Sequence, residues 1–119
     1  MAAHRIPVSA RRLDVYKVAL DLVAVVTPLI ARIAQHNKKL GQQLEGALPS
    51  VAQNICEGLR RTGNDRAHLL TVALGSADEV RCVLDMAAAS RMIPIDRAQQ
   101  AESLADRVCA MTYRLHQHC

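Results

Sequence analysis

Aromatic side chains are almost missing from this chain. Its 119 residues include no Trp, no Phe and only two Tyr, although half of the residues are apolar. The core must therefore be built from Leu, Ile, Val, Met and Ala, whose small side chains let helices approach closely but bury little area each. Base stacking on aromatic rings, as in single-strand binders, is disfavoured for the same reason. The length suffices for one domain, to which burial between subunits would add stability.

Sequence signatures of catalysis, phosphate binding and metal binding are also absent. The chain has no Gly-rich phosphate loop and no Glu-x-x-His pair of the kind that builds di-metal sites in helical bundles. Glu57 and Glu79 could form a carboxylate pair, and His116, His118 and Cys119 have metal-binding side chains, but a chain terminus fixes no ligand geometry. We therefore expect no catalytic residue, no metal and no cofactor. A small enzyme or metal-binding bundle is the less favoured alternative.

Cysteine pairs with CxxC spacing, a signal-peptide pattern and a long apolar run are missing too. The four cysteines are Cys56, Cys82, Cys109 and Cys119. We expect free, mostly buried thiols in a reducing cytoplasm. The most apolar run, residues 22–31, is shorter than the roughly 20 residues that span a bilayer. The sequence therefore predicts a cytoplasmic protein without a membrane segment.

Helical periodicity runs through most of the chain. Apolar residues recur at spacings of three and four, and no stretch alternates with the period of a strand. Residues 1–10, which include Pro7, are predicted to be a flexible N-terminal arm, and residues 11–119 to be a single domain. Short connections between four helices favour an all-α fold, an antiparallel up-down-up-down four-helix bundle.

Helix ends are predicted from proline, glycine and capping residues. The four helices are expected at about residues 11–36, 42–60, 64–91 and 96–116. Asn64 is the predicted N-cap of the third helix, and Asp96 with Gln99 resembles a capping box for the fourth. Pro28 and Pro49 lie inside helices, where each removes a backbone donor, so we expect bends at both.

The first helix is apolar on two faces. One row contains Leu13, Tyr16, Leu20, Val23, Ile30 and Ile33, and the other contains Val15, Val18, Leu22, Val25 and Leu29. An outer helix of a bundle cannot bury two apolar faces within its own subunit. We predict that the second row lies between the subunits of a homo-oligomer.

Two segments carry a family resemblance. Residues 50–58 read Ser-Val-Ala-Gln-Asn-Ile-Cys-Glu-Gly, and residues 73–79 read Ala-Leu-Gly-Ser-Ala-Asp-Glu. They resemble Ser-Ile-Pro-x-Asn-Ile-Ala-Glu-Gly and Ala-x-Gly-Ser-x-x-Glu of the four-helix bundle protein family, also called the ribosomal RNA intervening-sequence proteins. The resemblance covers about residues 13–115. Arg91-Met-Ile stands where the family usually has Gly-Tyr-Ile.

Six positions within these segments are predicted to hold the second and third helices together. They are Asn54, Glu57, Gly58, Gly75, Ser76 and Glu79. The polar ones would hydrogen-bond between helices or cap a helix end. Gly75 and Ser76 contribute no bulk to a core, so both are expected to face a neighbouring helix at close range.

The resemblance also implies an assembly and a biological setting. Family members form closed bundles that assemble into rings, usually pentamers, and most have no assigned activity. Some are encoded within intervening sequences of large-subunit ribosomal RNA genes. A related branch serves diversity-generating retroelements, binding reverse transcriptase and nucleic acid. The chain departs from the family at Glu45 and Gly46, where two basic residues are common, and at Ala52, where the family has proline.

Positive charge is concentrated near the start of the chain. The first 40 residues include seven basic and two acidic residues, a net +5, which leaves −1 for the remainder. Candidate contacts to an anionic partner are Arg5, Arg11, Arg12 and Lys17, with Arg60, Arg61 and Arg66 as a second group. The function predicted is a non-catalytic, homo-oligomeric scaffold or binding protein, with RNA or a nucleic-acid-associated protein as its partner. A protein-only assembly partner, for example of a reverse transcriptase, is the alternative.

Overall fold

Four helices account for nearly all of the chain that the computed structural model describes, which is residues 10–119 for the backbone and 14–119 for side chains. They are α1 (Ala10–His36), α2 (Lys38–Gly58), α3 (Gly63–Ala89) and α4 (Ile95–Gln117). Each helix packs on the next in sequence, and α4 closes against α1. The predicted all-α four-helix bundle is confirmed. Ala10, assigned to the arm by sequence, belongs to α1, and residues 1–9 lie outside the described part.

The residues of α1 that were predicted to lie between subunits are mostly buried in the core of the chain itself. The row assigned to a subunit interface contributes Val15, Val18, Leu22 and Leu29 to the core of the chain itself, and Val25 is partly buried against that core. These side chains are covered within one subunit, so their assignment to an interface between subunits is wrong. The residues of this core row are Val15, Ala19, Leu22, Val26, Leu29 and Ile33.

The regular spacing of this core row explains its burial. Its residues alternate spacings of four and three without interruption, as a helix in a left-handed bundle requires. The competing row of Tyr16, Leu20, Val23 and Ile30 is interrupted at Thr27, whose hydroxyl donates to the Val23 carbonyl at 2.6 Å. That row is only partly buried, and Leu20 is exposed.

A single residue connects α1 to α2. Asn37 has extended backbone angles and its side-chain oxygen accepts a hydrogen bond from the Leu40 amide at 3.0 Å, which caps α2. Gly41 then lies against α1, where a Cβ would come within 2.6 Å of the Ala34 Cβ. The second helix therefore starts four residues earlier than predicted, because Gly41 permits close packing rather than forming a turn.

Left-handed backbone conformations occur at both later connections. Gly63 has φ of +55°, as its type allows, and Arg91 has φ of +60°. At Arg91 the amide donates to the Ala88 carbonyl at 3.1 Å, and the Met92 amide donates to the Ala87 carbonyl at 2.8 Å. These two bonds form a Schellman motif that ends α3.

The N-caps of α3 and α4 differ from the predictions. Thr62 and Pro94 occupy these positions, and neither makes a side-chain capping hydrogen bond. Asn64 and Asp96 are each the second residue of their helix instead. α1 and α2 both continue through their prolines, Pro28 and Pro49, and the bends expected there stay predictions.

Candidate functional site

A small polar network joins α2 to α3. The hydroxyls of Ser50 and Ser76 lie 2.7 Å apart across the two helices, and the Asn54 amide donates to the Ser50 carbonyl at 2.7 Å and to its hydroxyl at 3.1 Å. Gly58 is buried, and a Cβ there would lie 3.2 Å from Leu70 Cδ2. Ser76 bonds to α2 and Gly58 lies against α3, as the sequence predicted, whereas Asn54 bonds only to Ser50 of its own helix.

The other three members of that predicted set do not take part. Gly75 is exposed, and a Cβ built on it would meet nothing within 4 Å, so the expectation of a close helix contact is wrong. Glu57 and Glu79 are exposed as well. Neither side chain makes a hydrogen bond to α2 or α3 within residues 14–119.

The basic residues predicted to contact an anionic partner differ in their surroundings. Arg5 lies outside the described residues, as do the side chains of Arg11 and Arg12. Lys17, Arg60 and Arg61 are exposed and available to a partner.

Arg66 has a structural role instead. Its Nε donates to the Gly58 carbonyl at 3.1 Å, and its Nη2 donates to the Leu59 carbonyl at 3.3 Å. These contacts satisfy carbonyls at the end of α2, where positive charge also complements the helix dipole. The assignment of Arg66 to partner binding is not supported by this geometry.

A mixed-charge pocket of about 230 Å³ lies beside Arg61, between the end of α2 and the start of α3. Its lining residues are Glu57, Arg61, Asp65, His68 and Leu69. Two carboxylates stand near one guanidinium here, which weakens the attraction of Arg61 for an anion. The pocket therefore offers no simple phosphate site.

An apolar groove of about 320 Å³ runs between α1 and α2 on the outside of the bundle. We call it the α1–α2 groove, and its lining residues are Tyr16, Leu20, Val23, Pro49, Ala52, Gln53 and Cys56. Leu20 has 44% of its surface exposed. Sequence analysis placed the wrong row of α1 at the surface; the interruption at Thr27 is the signal that distinguishes the two rows.

A charged cluster lies on the seam between α3 and α4. We call it the α3–α4 cluster, and its residues are Asp78, Arg81, Asp85, Glu102, Asp106 and Cys109. The Arg81 guanidinium lies 3.1 Å from an Asp106 oxygen, 3.4 Å from an Asp78 oxygen and 3.8 Å from the Cys109 sulfur. This cluster was not predicted from the sequence, although Asp78, Arg81 and Asp85 have the spacing of one helix face.

Three groups of the cluster have shifted pKa values, and a hydrogen bond with Cys109 raises the pKa of Arg81. A hydrogen bond with Asp85, and then burial, raise the pKa of Glu102 to about 7 from 4.5. Burial raises the pKa of the Cys109 thiol, against the opposing effect of Arg81. The thiol is thus kept in its protonated, weakly nucleophilic form.

Comparison with known proteins identifies the family. The family model described as 23S rRNA-intervening sequence protein matches residues 11–114. The chain belongs to this family. No curated protein matches its sequence.

For this family member, no group of three or more His, Cys, Asp or Glu within the described residues could hold a metal ion. Its cysteines Cys56, Cys82, Cys109 and Cys119 are free thiols, and all four are at least partly exposed rather than buried as expected.

Among the residues that the structure describes, one helix, Asp14–His36, is long and apolar enough to cross a membrane by length and composition alone, with a mean hydropathy of 1.7. This helix is longer than the apolar run of residues 22–31, and the absence of a membrane segment stays a prediction. The core helix of a soluble bundle passes the same test, and Val15, Leu22 and Leu29 of this helix are fully buried in the core.

Proposed function

We propose that the protein is a non-catalytic subunit of a homo-oligomeric scaffold that assembles through the α1–α2 groove. The observation that carries the proposal is the groove itself, an apolar surface left uncovered by the bundle's own helices. Apolar side chains that are exposed next to one another gain free energy when a partner covers them. The ring, usually of five subunits, that the family resemblance implies is one assembly of this kind.

The groove is lined by large side chains from α1 and by smaller ones from α2. Tyr16 and Leu20 belong to α1, while Pro49 and Ala52 belong to α2. A ring needs each subunit to present this groove to a different surface of its neighbour, whereas a two-fold dimer would place groove on groove. Cys56 at the groove provides a thiol whose labelling rate would report coverage.

The test replaces Leu20 with glutamate, which places a charge in the groove without entering the core. We expect Leu20→Glu to give monomers with unchanged helical circular dichroism, while the wild type gives a multiple of the monomer mass by light scattering. Met86→Glu is the matched control, since Met86 is 48% exposed against 44% for Leu20 but lies on α3. A wild type that is monomeric, or a Leu20→Glu variant that keeps the full mass, would disprove assembly through the groove.

RNA binding is the second candidate function. It is supported by the family's association with 23S rRNA and by the exposed side chains of Lys17, Arg60 and Arg61. Arg5, Arg11 and Arg12 belong to the same proposal by sequence. Contacts would be made to phosphate, because the chain has few aromatic side chains on which bases could stack. A homo-oligomer would repeat the few cations of one subunit and so raise its affinity.

The test compares two double variants of equal charge. Arg60→Ala/Arg61→Ala should weaken binding to a structured RNA at low salt and reduce the steepness of its salt dependence. Arg97→Ala/Arg107→Ala removes two exposed arginines of α4 and should have a smaller effect. If the wild type binds no RNA at low salt, or both variants bind equally, the protein-only scaffold is favoured over RNA binding.

A further inference from the structure

The connections between the helices alternate between the two ends of the bundle. The helices have 21 to 27 residues, which is about 30–40 Å of helix at about 1.5 Å per residue, and the molecule measures 50 × 24 × 22 Å. The helices therefore run along the long axis, and the α1–α2 and α3–α4 connections lie at the same end. We call this end, which is made of residues 32–39 and 91–97, the cationic end.

The charge at the cationic end is almost entirely positive. Its exposed basic residues are Arg32, Lys38, Lys39, Arg91 and Arg97. Asp96 is the one carboxylate among residues 32–39 and 91–97, so the net charge of this end is +4, equal to that of the whole chain. Within residues 14–119 none of the five cations forms an ion pair, because the ion pairs there belong to Arg81. The cationic end therefore presents unneutralised charge to a partner.

Three of these basic residues occupy positions that are unfavourable for them within the chain itself. Lys38 and Lys39 lie in the first turn of α2, which holds no acidic residue and is the positive end of the helix dipole. Arg91 has a left-handed backbone, with φ of +60°, which glycine would adopt without a steric penalty. An anionic partner at this end would interact favourably with all three side chains.

An exposed aliphatic side chain indicates which anionic partner fits. Ile95 is 62% exposed, the largest fraction among the exposed large hydrophobic residues of the described chain, and Pro94 beside it is also exposed. An isoleucine offers RNA no ring on which a base could stack. A bilayer of anionic lipids suits both features, since its headgroups attract Lys and Arg and its interface takes up apolar side chains.

We propose that the cationic end binds the surface of a membrane that contains anionic phospholipids. The five cations contact headgroup phosphates, and Ile95 enters the boundary between headgroups and acyl chains. This attachment requires no spanning helix, so the core residues of α1 stay buried. It goes beyond the proposed assembly and RNA binding and depends on neither, because Arg60 and Arg61 follow α2 at the opposite end of the bundle.

The test is co-sedimentation of the protein with lipid vesicles. The wild type should bind vesicles of phosphatidylglycerol and phosphatidylcholine but not vesicles of phosphatidylcholine alone, and the binding should weaken as salt is added. Lys38→Ala/Lys39→Ala should lower the partition coefficient by about tenfold or more, since each cation near an anionic surface contributes roughly fivefold. Arg60→Ala/Arg61→Ala removes the same charge at the opposite end and should lower it far less.

Further variants test the aliphatic contact and the strained arginine. Ile95→Ser should weaken vesicle binding by about fivefold, because an apolar side chain no longer enters the interface. Tyr113→Ser is the matched control, since Tyr113 is 54% exposed on the same helix but lies near its other end. Arg91→Gly should also weaken binding, and unfolding would not explain that loss, because glycine suits the backbone of Arg91.

Four results would overturn the proposal. The first is a wild type that does not bind the anionic vesicles at low salt, and the second is equal binding by the two double variants. The third is unchanged binding of Ile95→Ser, which would show adsorption by charge alone. The fourth is a loss of RNA affinity in Lys38→Ala/Lys39→Ala with vesicle binding intact, which would make this end a nucleic-acid surface. All four leave the test of assembly through the α1–α2 groove unaffected.

Discussion

Glycine has opposite roles at different positions in this chain. Gly41 is needed where α2 approaches α1, because a Cβ would lie 2.6 Å from one atom of Ala34 and 2.9 Å from its backbone Cα. Gly75 also lies within a helix, but a Cβ added there would face open space. The family resemblance suggested a helix contact at Gly75. Whether this residue faces a neighbouring helix or solvent depends on the rotation of α3 about its axis, which a sequence does not specify.

The contrast gives a stability prediction. Gly75→Ala should raise the free energy of unfolding by about 1 kcal/mol, because alanine restricts the unfolded chain and meets nothing in the folded one. Gly46→Ala, equally unobstructed, should behave the same way. Gly41→Ala should destabilise by about 1–3 kcal/mol through overpacking against α1. Urea unfolding measures all three, and a destabilised Gly75→Ala would contradict the exposed position.

At the level of the helices, the sequence predicted the ends to within about two residues, except for the start of α2. The sequence spaces Leu44, Leu48, Val51, Ile55 and Leu59 along one face of α2; the first four are buried and Leu59 is partly buried. The start of α2 was missed because Asn37 acts as connection and cap at once. Asn64 and Asp96 are good capping residues by type, yet the chain enters α3 and α4 earlier, at Gly63 and Ile95.

The end of α3 contains a non-glycine residue in the left-handed backbone region, and a substitution by glycine should remove its steric cost. Arg91 has φ of +60° in the Schellman motif, a position that favours glycine. Arg91→Gly should therefore stabilise the protein by about 1 kcal/mol, since glycine reaches this region without a steric penalty.

Ser90→Gly is the matched control, because Ser90 has φ of −88°. It should be neutral or destabilising, as glycine there only adds freedom to the unfolded chain. Thermal unfolding of the two variants decides the matter. Equal effects of both would show that the left-handed conformation of Arg91 costs nothing.

At the scale of the whole molecule, the two long edges of the bundle have different chemistry. The α1–α2 edge is apolar, and the α3–α4 edge has four carboxyl groups around Arg81. The fold class and the family could be predicted from sequence. Residue spacing gives only partial information on helix rotation and pairing. These determine which apolar row of α1 faces outward and which acidic residues lie near each other on α3 and α4.

The one-residue connection at Asn37 also has a consequence for how the chain folds. With so short a link, α1 and α2 can pair as a helical hairpin at a small loss of chain entropy. The pairs α2–α3 and α3–α4 are nearly as local, whereas the contact of α4 with α1 joins distant parts of the sequence. Chains dominated by local contacts fold quickly, on the microsecond-to-millisecond scale. We therefore expect rapid folding of the chain, with closure of α4 on α1 as its most entropically costly step.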